Sequence, residues 1–334
     1  MATVLDPAGD APLRPTRRSR AALSIVIPVY RGEKTIGPLV CALVEELRDA
    51  CRLEIVLVND GSPDNSAQAC RALADSFDFV KFLNLSRNFS EHNAVMAGLN
   101  YATGDYVVIM DDDFQNPPGE VGKLLDEIQK GYDVVYSYYA RKKHHFLRNL
   151  GSRINDRVAV LLLDKPPDLY LSSFKALSRF VVDELVKYDG PYPYIDGLVL
   201  RFTRNYSRIL VTHDPRREGR SGYTLRKLIS LYLNMLTNFS ILPLRLASCA
   251  GLASAILGLV LAAYFVVERI YDPGLPAGWA SMIVSLFIIA GIQLFSLGMI
   301  GEYLGRLFLK DNGRPQFVIR EKLNCEPAAR QDAT

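Results

Sequence analysis

Three consecutive aspartates at positions 111–113 are the residues of this sequence best suited to chemistry. They follow an apolar run at 106–110 that predicts a buried strand. Because side chains alternate along a strand, we expect Asp111 and Asp113 to point one way and Asp112 the other. Two carboxylates on one side can hold a hard divalent cation that keeps positions open for phosphate oxygens, with Gln115 as a neutral ligand. The alternative interpretation is an acidic loop that caps the next helix, which begins with two prolines.

The elements that must position these aspartates follow from an alternation of short apolar runs and amphipathic stretches. The sequence predicts strands at 23–29, 53–59, 80–84, 106–110 and 134–137, and helices near 35–50, 65–76, 91–102 and 117–130. This order predicts an α/β domain with a mostly parallel sheet covered by helices. Ligands bind outside the carboxyl ends of the strands in such sheets, which is where the segments 28–30, 60–62 and 111–113 fall.

The character of the chain changes after the fifth predicted strand. The stretches 146–163 and 224–240 have apolar residues at helical spacing beside basic ones, which indicates either amphipathic helices at a membrane interface or ordinary helices packed on the domain. The runs 246–267 and 279–301 are apolar, uncharged and long enough to cross a bilayer, so they predict a transmembrane hairpin. Basic residues flank both outer ends of the hairpin, and the positive-inside rule therefore places the large domain and both termini in the cytoplasm.

Composition agrees with a membrane-associated chain. Hydrophobic residues make up 49% of the 334, a share high enough to suggest that part of the chain is outside water, while the formal net charge is only +3. Five cysteines without paired metal spacing predict free thiols in a reducing compartment, and no secretory signal is visible. The predicted organisation is a disordered basic arm at 1–20, the α/β domain at 21–222, an interfacial helix at 223–242, the transmembrane hairpin at 243–310 and a cytoplasmic tail at 311–334.

Five groups of residues in this order resemble glycosyltransferase family 2, in particular its membrane-bound branch that transfers a sugar to a polyprenyl phosphate. They are SIVIPVY at 24–30, VNDGS at 58–62, RN at 87–88 with AG at 97–98 and TGD at 103–105, DDDFQNPP at 111–118, and GEYLGR at 301–306. The resemblance covers residues 23–320. It is closest to undecaprenyl-phosphate transferases of the aminoarabinose and glucose type, and more distant from dolichol-phosphate-mannose synthases. It implies a GT-A-type, Rossmann-like domain with a C-terminal membrane hairpin.

The resemblance also implies which residues bind a nucleotide-sugar donor. The residues assigned to the donor are Pro28, Tyr30, Glu33, Asp60, Asp112, Arg216 and Arg220. In this scheme Asp60 hydrogen-bonds the base, although a turn residue ahead of Gly61 is the alternative. Asp111 and Asp113 hold the diphosphate through Mg²⁺ or Mn²⁺, with Gln115 near the metal. The family has an acid and a lysine where this chain has Arg220 and Gly222, so the charge of this loop differs.

A polyprenyl phosphate is already an anionic nucleophile, so the reaction needs cations at the acceptor more than a strong base. The resemblance assigns this role to Arg141, Arg148 and Ser152, of which the last two lie four apart on one face of the basic helix. A bidentate guanidinium suits a phosphate well. The alternative is that these arginines only attract anionic lipid headgroups.

We therefore predict an inverting, metal-dependent transfer of one sugar to undecaprenyl or another polyprenyl phosphate, at the cytoplasmic face of a bacterial inner membrane. The resemblance favours a UDP-sugar donor, implies a homo-oligomer, a tetramer in relatives, and leaves the identity of the sugar open. Membrane lipids are the other expected partners, and no nucleic acid is expected. The alternatives are an inert membrane scaffold of the same fold, and a processive polysaccharide synthase. The Gln-x-x-Arg-Trp motif of such synthases is absent, since the only tryptophan is Trp279.

Overall fold

The first strand shows why a mostly parallel sheet forms. Seven of the eight residues of β1 (Ala22–Val29) are buried, because helices cover both faces of the sheet at its centre. The computed structural model describes residues 21–139, 166, 169–190, 193–212, 214, 242–271, 278–312 and 315–325.

The predicted alternation of strands and helices is confirmed. The elements in chain order are β1 (Ala22–Val29), α1 (Ile36–Leu47), β2 (Arg52–Asn59), α2 (Ser66–Ser76), β3 (Val80–Leu85), α3 (Glu91–Leu99), β4 (Tyr106–Ile109), α4 (Gly119–Ile128), β5 (Val134–Tyr139), β6 (Lys175–Ser178), α5 (Arg179–Leu185), α6 (Ile195–Phe202), β7 (Tyr206–Val211), α7 (Leu242–Tyr271), α8 (Trp279–Asp311) and β8 (Ile319–Leu323). The strands β6, β7 and β8 had no counterpart in the prediction from sequence. The predicted amphipathic stretches 146–163 and 224–240 lie outside the described residues.

The sheet has eight strands in the order β7-β5-β6-β4-β1-β2-β3-β8. Strands β1 to β4 are parallel to one another, and β6 and β8 run against their neighbours. Since β6 is antiparallel to both β4 and β5, the carboxyl ends of β4 and β5 lie at the same edge as the beginning of β6. One layer of helices (α3, α5 and α6) packs on one face of the sheet, and the other layer (α1, α2 and α4) packs on the opposite face.

Two long helices follow the domain and pack against each other. Helix α7 has 30 residues and α8 has 33, which corresponds to about 45 and 50 Å. Their apolar side chains are largely exposed, with Leu259 at 75% and Met282 at 66%. By length and composition, α8 contains a stretch that could cross a membrane, Ile288–Gly305, whereas the corresponding apolar stretch of α7, Ala247–Leu261, is shorter.

Candidate active site

The three aspartates lie in the loop that follows β4, which we call the acidic loop (residues 111–116). Asp111 Oδ2 accepts a hydrogen bond of 2.7 Å from Ser173 Oγ, immediately before β6. The carboxylate of Asp112 instead accepts from the backbone N–H of Tyr30, after β1. Asp113, with 8% of its surface exposed, accepts a hydrogen bond of 3.1 Å from the backbone N–H of Gln115. Asp111 therefore contacts the segment before β6, and Asp112 contacts the loop after β1.

Helix α4 follows the acidic loop and has Pro118 at its N-cap position. The proline side chain makes no capping hydrogen bond to the helix.

The carboxyl of Asp112 is buried close to two other carboxylates. Burial, together with the charges of Asp111 and Asp113, raises the pKa of this carboxyl to about 7. Its Oδ2 atom is buried and has no hydrogen-bond partner among the described residues. A Cβ atom at Gly32 would lie 2.2 Å from the same oxygen, so glycine is required there for Asp112 to occupy this place.

A divalent cation fits this set of donors, because hard cations prefer carboxylate oxygens and would relieve the repulsion between adjacent charges. Within the part of the chain that the structure describes, no group of three or more His, Cys, Asp or Glu residues is arranged as a metal site. A cation held by Asp111 and Asp113 would thus take its remaining ligands from elsewhere, including the phosphate oxygens of a bound ligand.

The loops after β1 and β2 are held together by hydrogen bonds that run in both directions. The backbone N–H of Arg31 donates to Ser62 Oγ at 2.7 Å, and that of Gly32 donates to Ser66 Oγ at 2.9 Å. Glu33, one of the residues that the resemblance assigned to the nucleotide sugar, is exposed. It accepts a 3.1 Å hydrogen bond from Asn65 Nδ2, at the start of α2. Tyr30 is 46% exposed at the end of β1, next to half-buried Pro28, and is thus accessible to a ligand.

Asp60 is buried at the end of β2 and shapes the neighbouring loop. Its Oδ1 accepts a 2.6 Å hydrogen bond from the backbone N–H of Phe89. Burial raises the pKa of Asp60, and hydrogen bonds from the backbone of Phe89 and Ser90 partly oppose that rise. Gly61 has φ +57°, and a Cβ atom there would lie 2.3 Å from the carbonyl carbon of Arg87. A residue with a Cβ atom would therefore not fit at position 61, directly after Asp60.

A buried polar cluster beneath the acidic loop had no counterpart in the sequence prediction. Lys175, at the start of β6, forms an ion pair with Asp196 in the first turn of α6, and their exposed fractions are 3% and 6%. Lys175 Nζ also lies 5.4 Å from the centre of the buried Tyr136 ring. The ring of His92, whose pKa burial lowers to about 4, meets Tyr194 edge-on at 5.2 Å. A lysine inside the apolar run Phe174–Leu177 was the one available sign of a buried charge.

Five predicted site residues lie outside the described part of the chain: Arg141, Arg148, Ser152, Arg216 and Arg220. Two described neighbours reach the acidic loop nonetheless. Tyr139, two residues before Arg141, donates from its hydroxyl to Asn116 Oδ1 at 3.1 Å. Asp214, two residues before Arg216, donates from its backbone N–H to the carbonyl of Gln115 at 2.9 Å. The chain therefore passes the acidic loop just before each of these two arginines.

The sheet with two reversed strands and an acidic loop after β4 defines a glycosyltransferase of the GT-A type. The chain belongs to glycosyltransferase family 2: the model described as "Glycosyl transferase family 2" matches residues 24–186, and one described as "GtrB C-terminal hairpin" matches residues 242–307. This confirms the resemblance seen in the sequence.

Curated relatives match along nearly the whole chain. The undecaprenyl-phosphate 4-deoxy-4-formamido-L-arabinose transferase of Yersinia enterocolitica is 34% identical over 312 residues, which are 91% of this chain and 94% of that protein. The enzyme of the same name from Yersinia pestis is 33% identical with the same coverage.

Among solved structures, glucosyl-3-phosphoglycerate synthase from Mycobacterium tuberculosis, in complex with Mn²⁺, UDP-glucose and phosphoglyceric acid, matches with a TM-score of 0.50. The match has 18% identity and covers 65% of this chain and 78% of that one. At this identity the match bears on the fold alone.

Proposed function

We propose that this glycosyltransferase moves one sugar from a nucleotide-diphosphate sugar, with a UDP-sugar favoured, to undecaprenyl or another polyprenyl phosphate. The Yersinia relatives are named for transfer to undecaprenyl phosphate, and they match 91% of this chain, including the C-terminal hairpin. The mycobacterial synthase, which shares the fold, was crystallised with Mn²⁺ and UDP-glucose.

The observation that carries the proposal is the acidic loop. Asp111 and Asp113 would hold Mg²⁺ or Mn²⁺, which supplies positive charge to neutralise the leaving diphosphate. Ser173 holds Asp111 in place through its hydroxyl, and the backbone N–H of Gln115 does the same for Asp113. Burial and the charges of Asp111 and Asp113 raise the pKa of Asp112, and a cation nearby would relieve the repulsion among these carboxylates.

The chemistry we propose is a direct displacement with inversion. An oxygen of the acceptor phosphate forms a bond to the anomeric carbon, while the bond from that carbon to the diphosphate oxygen breaks and its electron pair leaves with the nucleotide. No proton has to be removed from an ionised phosphate, so a general base is unnecessary.

The arginines complete the proposed site. Tyr139 and Asp214 bring the chain to the acidic loop just before Arg141 and Arg216. We assign Arg141, Arg148 and Ser152 to the acceptor phosphate, and Arg216 and Arg220 to the diphosphate, on the strength of these positions and the family motif. Guanidinium groups bind phosphate in a bidentate manner.

The proposed location is the cytoplasmic face of a bacterial inner membrane, with the hairpin of α7 and α8 in the bilayer and both termini in the cytoplasm. The exposed apolar surface of both helices supports this placement. We also propose that the protein forms a homo-oligomer. Lipids would then contact only those sides of the hairpins that face away from the other subunits.

The test is transfer by the purified protein in liposomes that contain undecaprenyl phosphate, with a panel of UDP- and GDP-sugars and Mn²⁺, followed by mass spectrometry of the extracted lipid. We expect one sugar per lipid, loss of product with EDTA, and loss with Asp113→Ala. The exposed Asp75 on α2 offers a matched control, Asp75→Asn, which should leave turnover unchanged. Wild-type turnover by Asp113→Ala without metal would exclude the cation site, and polymeric product would favour the processive alternative.

A further inference from the structure

The segment 315–325, which follows the long helix α8, contacts the α/β domain at two separate places. We propose that Gln316 in this segment is a positioning residue that ties the end of α8 to the loop before α6. In this way it fixes the active-site edge of the sheet relative to the membrane hairpin. The inference rests on the proposed transfer to a lipid acceptor.

The first place of contact is the edge of the sheet. Strand β8 pairs antiparallel with β3, and the pairing continues with a 2.8 Å hydrogen bond from the backbone N–H of Ser86 to the carbonyl of Val318. Arg71 Nη2 lies 2.6 Å from Glu321 Oε2, and Asn324 Nδ2 donates to two backbone carbonyls of the α2–β3 region. The segment that the sequence predicted as a tail is therefore anchored to the domain.

The second place of contact is the loop between α5 and α6. Gln316 Nε2 donates hydrogen bonds to the carbonyls of Tyr188 and Gly190, at 2.6 and 2.8 Å. Both hydrogen bonds from one amide group thus hold a single loop. The adjacent Phe317 packs against the same hydrophobic core as α6.

This loop leads directly into the buried cluster beneath the acidic loop. Helix α6 begins at Ile195, and Asp196 in its first turn pairs with Lys175. Two residues before Lys175, Ser173 donates to Asp111. The loop 188–190 is thus connected through α6 to the residues around the acidic loop, so holding this loop in place sets the distance between α8 and the active-site edge.

On its other side Gln316 is covalently close to α8, which ends at Asp311. Five Cα–Cα steps of about 3.8 Å separate these two residues, so the end of α8 lies within about 19 Å of Gln316 whatever path the link follows. The same residue thus connects the last turn of the membrane helix with the loop that supports the active site.

The experiment compares two acceptors for each variant, using the UDP-sugar with the highest wild-type turnover. Turnover of undecaprenyl phosphate in liposomes requires the active site to lie at the correct height above the bilayer. Turnover of geranyl phosphate in detergent does not depend on this height. Gln316→Glu keeps the shape but replaces the two-donor amide by a carboxylate facing two carbonyls. We expect turnover of the liposome acceptor to fall about tenfold, with geranyl phosphate turnover retained. Gln316→Lys keeps N–H donors, so its turnover of the liposome acceptor should be much closer to the wild-type value than that of Gln316→Glu.

Glu321→Ala is the matched control, because it weakens β8 without touching the loop 188–190, and Gln316→Ala serves if the carboxylate variant does not fold. Equal losses on both acceptors, an equal selective loss in Glu321→Ala, or an unchanged Gln316→Glu with wild-type melting behaviour would each overturn the inference. Failure of the wild type on both acceptors would instead refute the proposed function.

Discussion

Ser173 Oγ donates a hydrogen bond of 2.7 Å to Asp111 Oδ2, and this contact joins the residues before β6 to the acidic loop after β4. The two strands are antiparallel neighbours with Lys175 opposite Ile109, so the register of the sheet brings the serine to the aspartate. A hydroxyl that donates to a carboxylate both fixes its direction and stabilises its charge.

Ser173→Ala should therefore lower the rate of transfer without unfolding the domain. Hydrogen bonds to charged groups contribute about 1.5–3 kcal/mol, which corresponds to roughly a ten- to hundredfold loss in kcat/KM for the donor. Ser173→Thr keeps the hydroxyl and should retain most of the activity. Steady-state kinetics at saturating Mn²⁺ would measure the effect, and equal kinetics for the alanine and threonine variants would contradict this role.

Removal of divalent cations should destabilise the domain, because the charges of Asp111, Asp112 and Asp113 then repel one another. A cation present at about 100 times its Kd adds about 2.7 kcal/mol to the free energy of unfolding. We expect EDTA to lower the melting temperature in differential scanning fluorimetry, and Mn²⁺ to raise it. Asp113→Asn should reduce this response and Asp75→Asn should not. An identical response in both variants would place the cation elsewhere.

A second cluster of charge lies near the start of β2, away from the acidic loop. Burial alone would raise the pKa of Glu54, but hydrogen bonds from Lys81, Ser24 and Thr103 outweigh it, and the net pKa is lowered. Because the folded pKa is below the unfolded one, this carboxylate stabilises the fold above the unfolded pKa of about 4.3, and the contribution is lost as pH falls through the folded pKa.

Glu54→Gln should accordingly lower the melting temperature at pH 7, and the difference from wild type should shrink as pH falls below about 4.3. Thermal melts between neutral and acid pH would show this convergence. Glu184→Gln removes an exposed pair with Lys187 and is the matched control. A difference that stays constant with pH would show that lost packing, and not the charge, explains the effect.

The buried pair of Lys175 and Asp196 makes a distinct prediction for stability. Lys175→Met leaves a carboxylate buried without its partner, which costs about 3–5 kcal/mol. Combining it with Asp196→Leu removes both charges and should recover most of the loss, as judged by urea unfolding. Breaking the exposed Lys187–Glu184 pair should cost about 0–1 kcal/mol. If the double variant were as unstable as Lys175→Met, packing and not charge would be responsible.

Much of the domain was predictable because its signals are local. The first five strands are apolar runs of ordinary length, and the intervening helices show helical spacing, so periodicity placed them to within a few residues. The position of Asp111 and Asp113 after the end of a strand was likewise predictable, because a run of five apolar residues precedes them.

The remaining features depend on partners distant in the chain. The charge of Lys175 is compensated by Asp196, 21 positions later, and nothing near Lys175 in the sequence indicates that partner. Strand β8 has the sequence IREKL, which is too polar to be recognised as a strand from sequence. It forms a strand because β3 offers an open edge. Its Glu321 pairs with Arg71, 250 positions away. Glu33 shows a related limit, since its bonds to Asn65 belong to a contact between two loops.

The position of β8 after the two long helices has a consequence for biosynthesis. On the ribosome, β3 is made early, yet the strand that covers its edge is translated only after the hairpin of α7 and α8. Until then β3 presents unpaired N–H and C=O groups, the kind of edge on which other chains can add. The sheet is therefore completed only after α7 and α8 have been made, and until then the open edge of β3 exposes the nascent enzyme to aggregation.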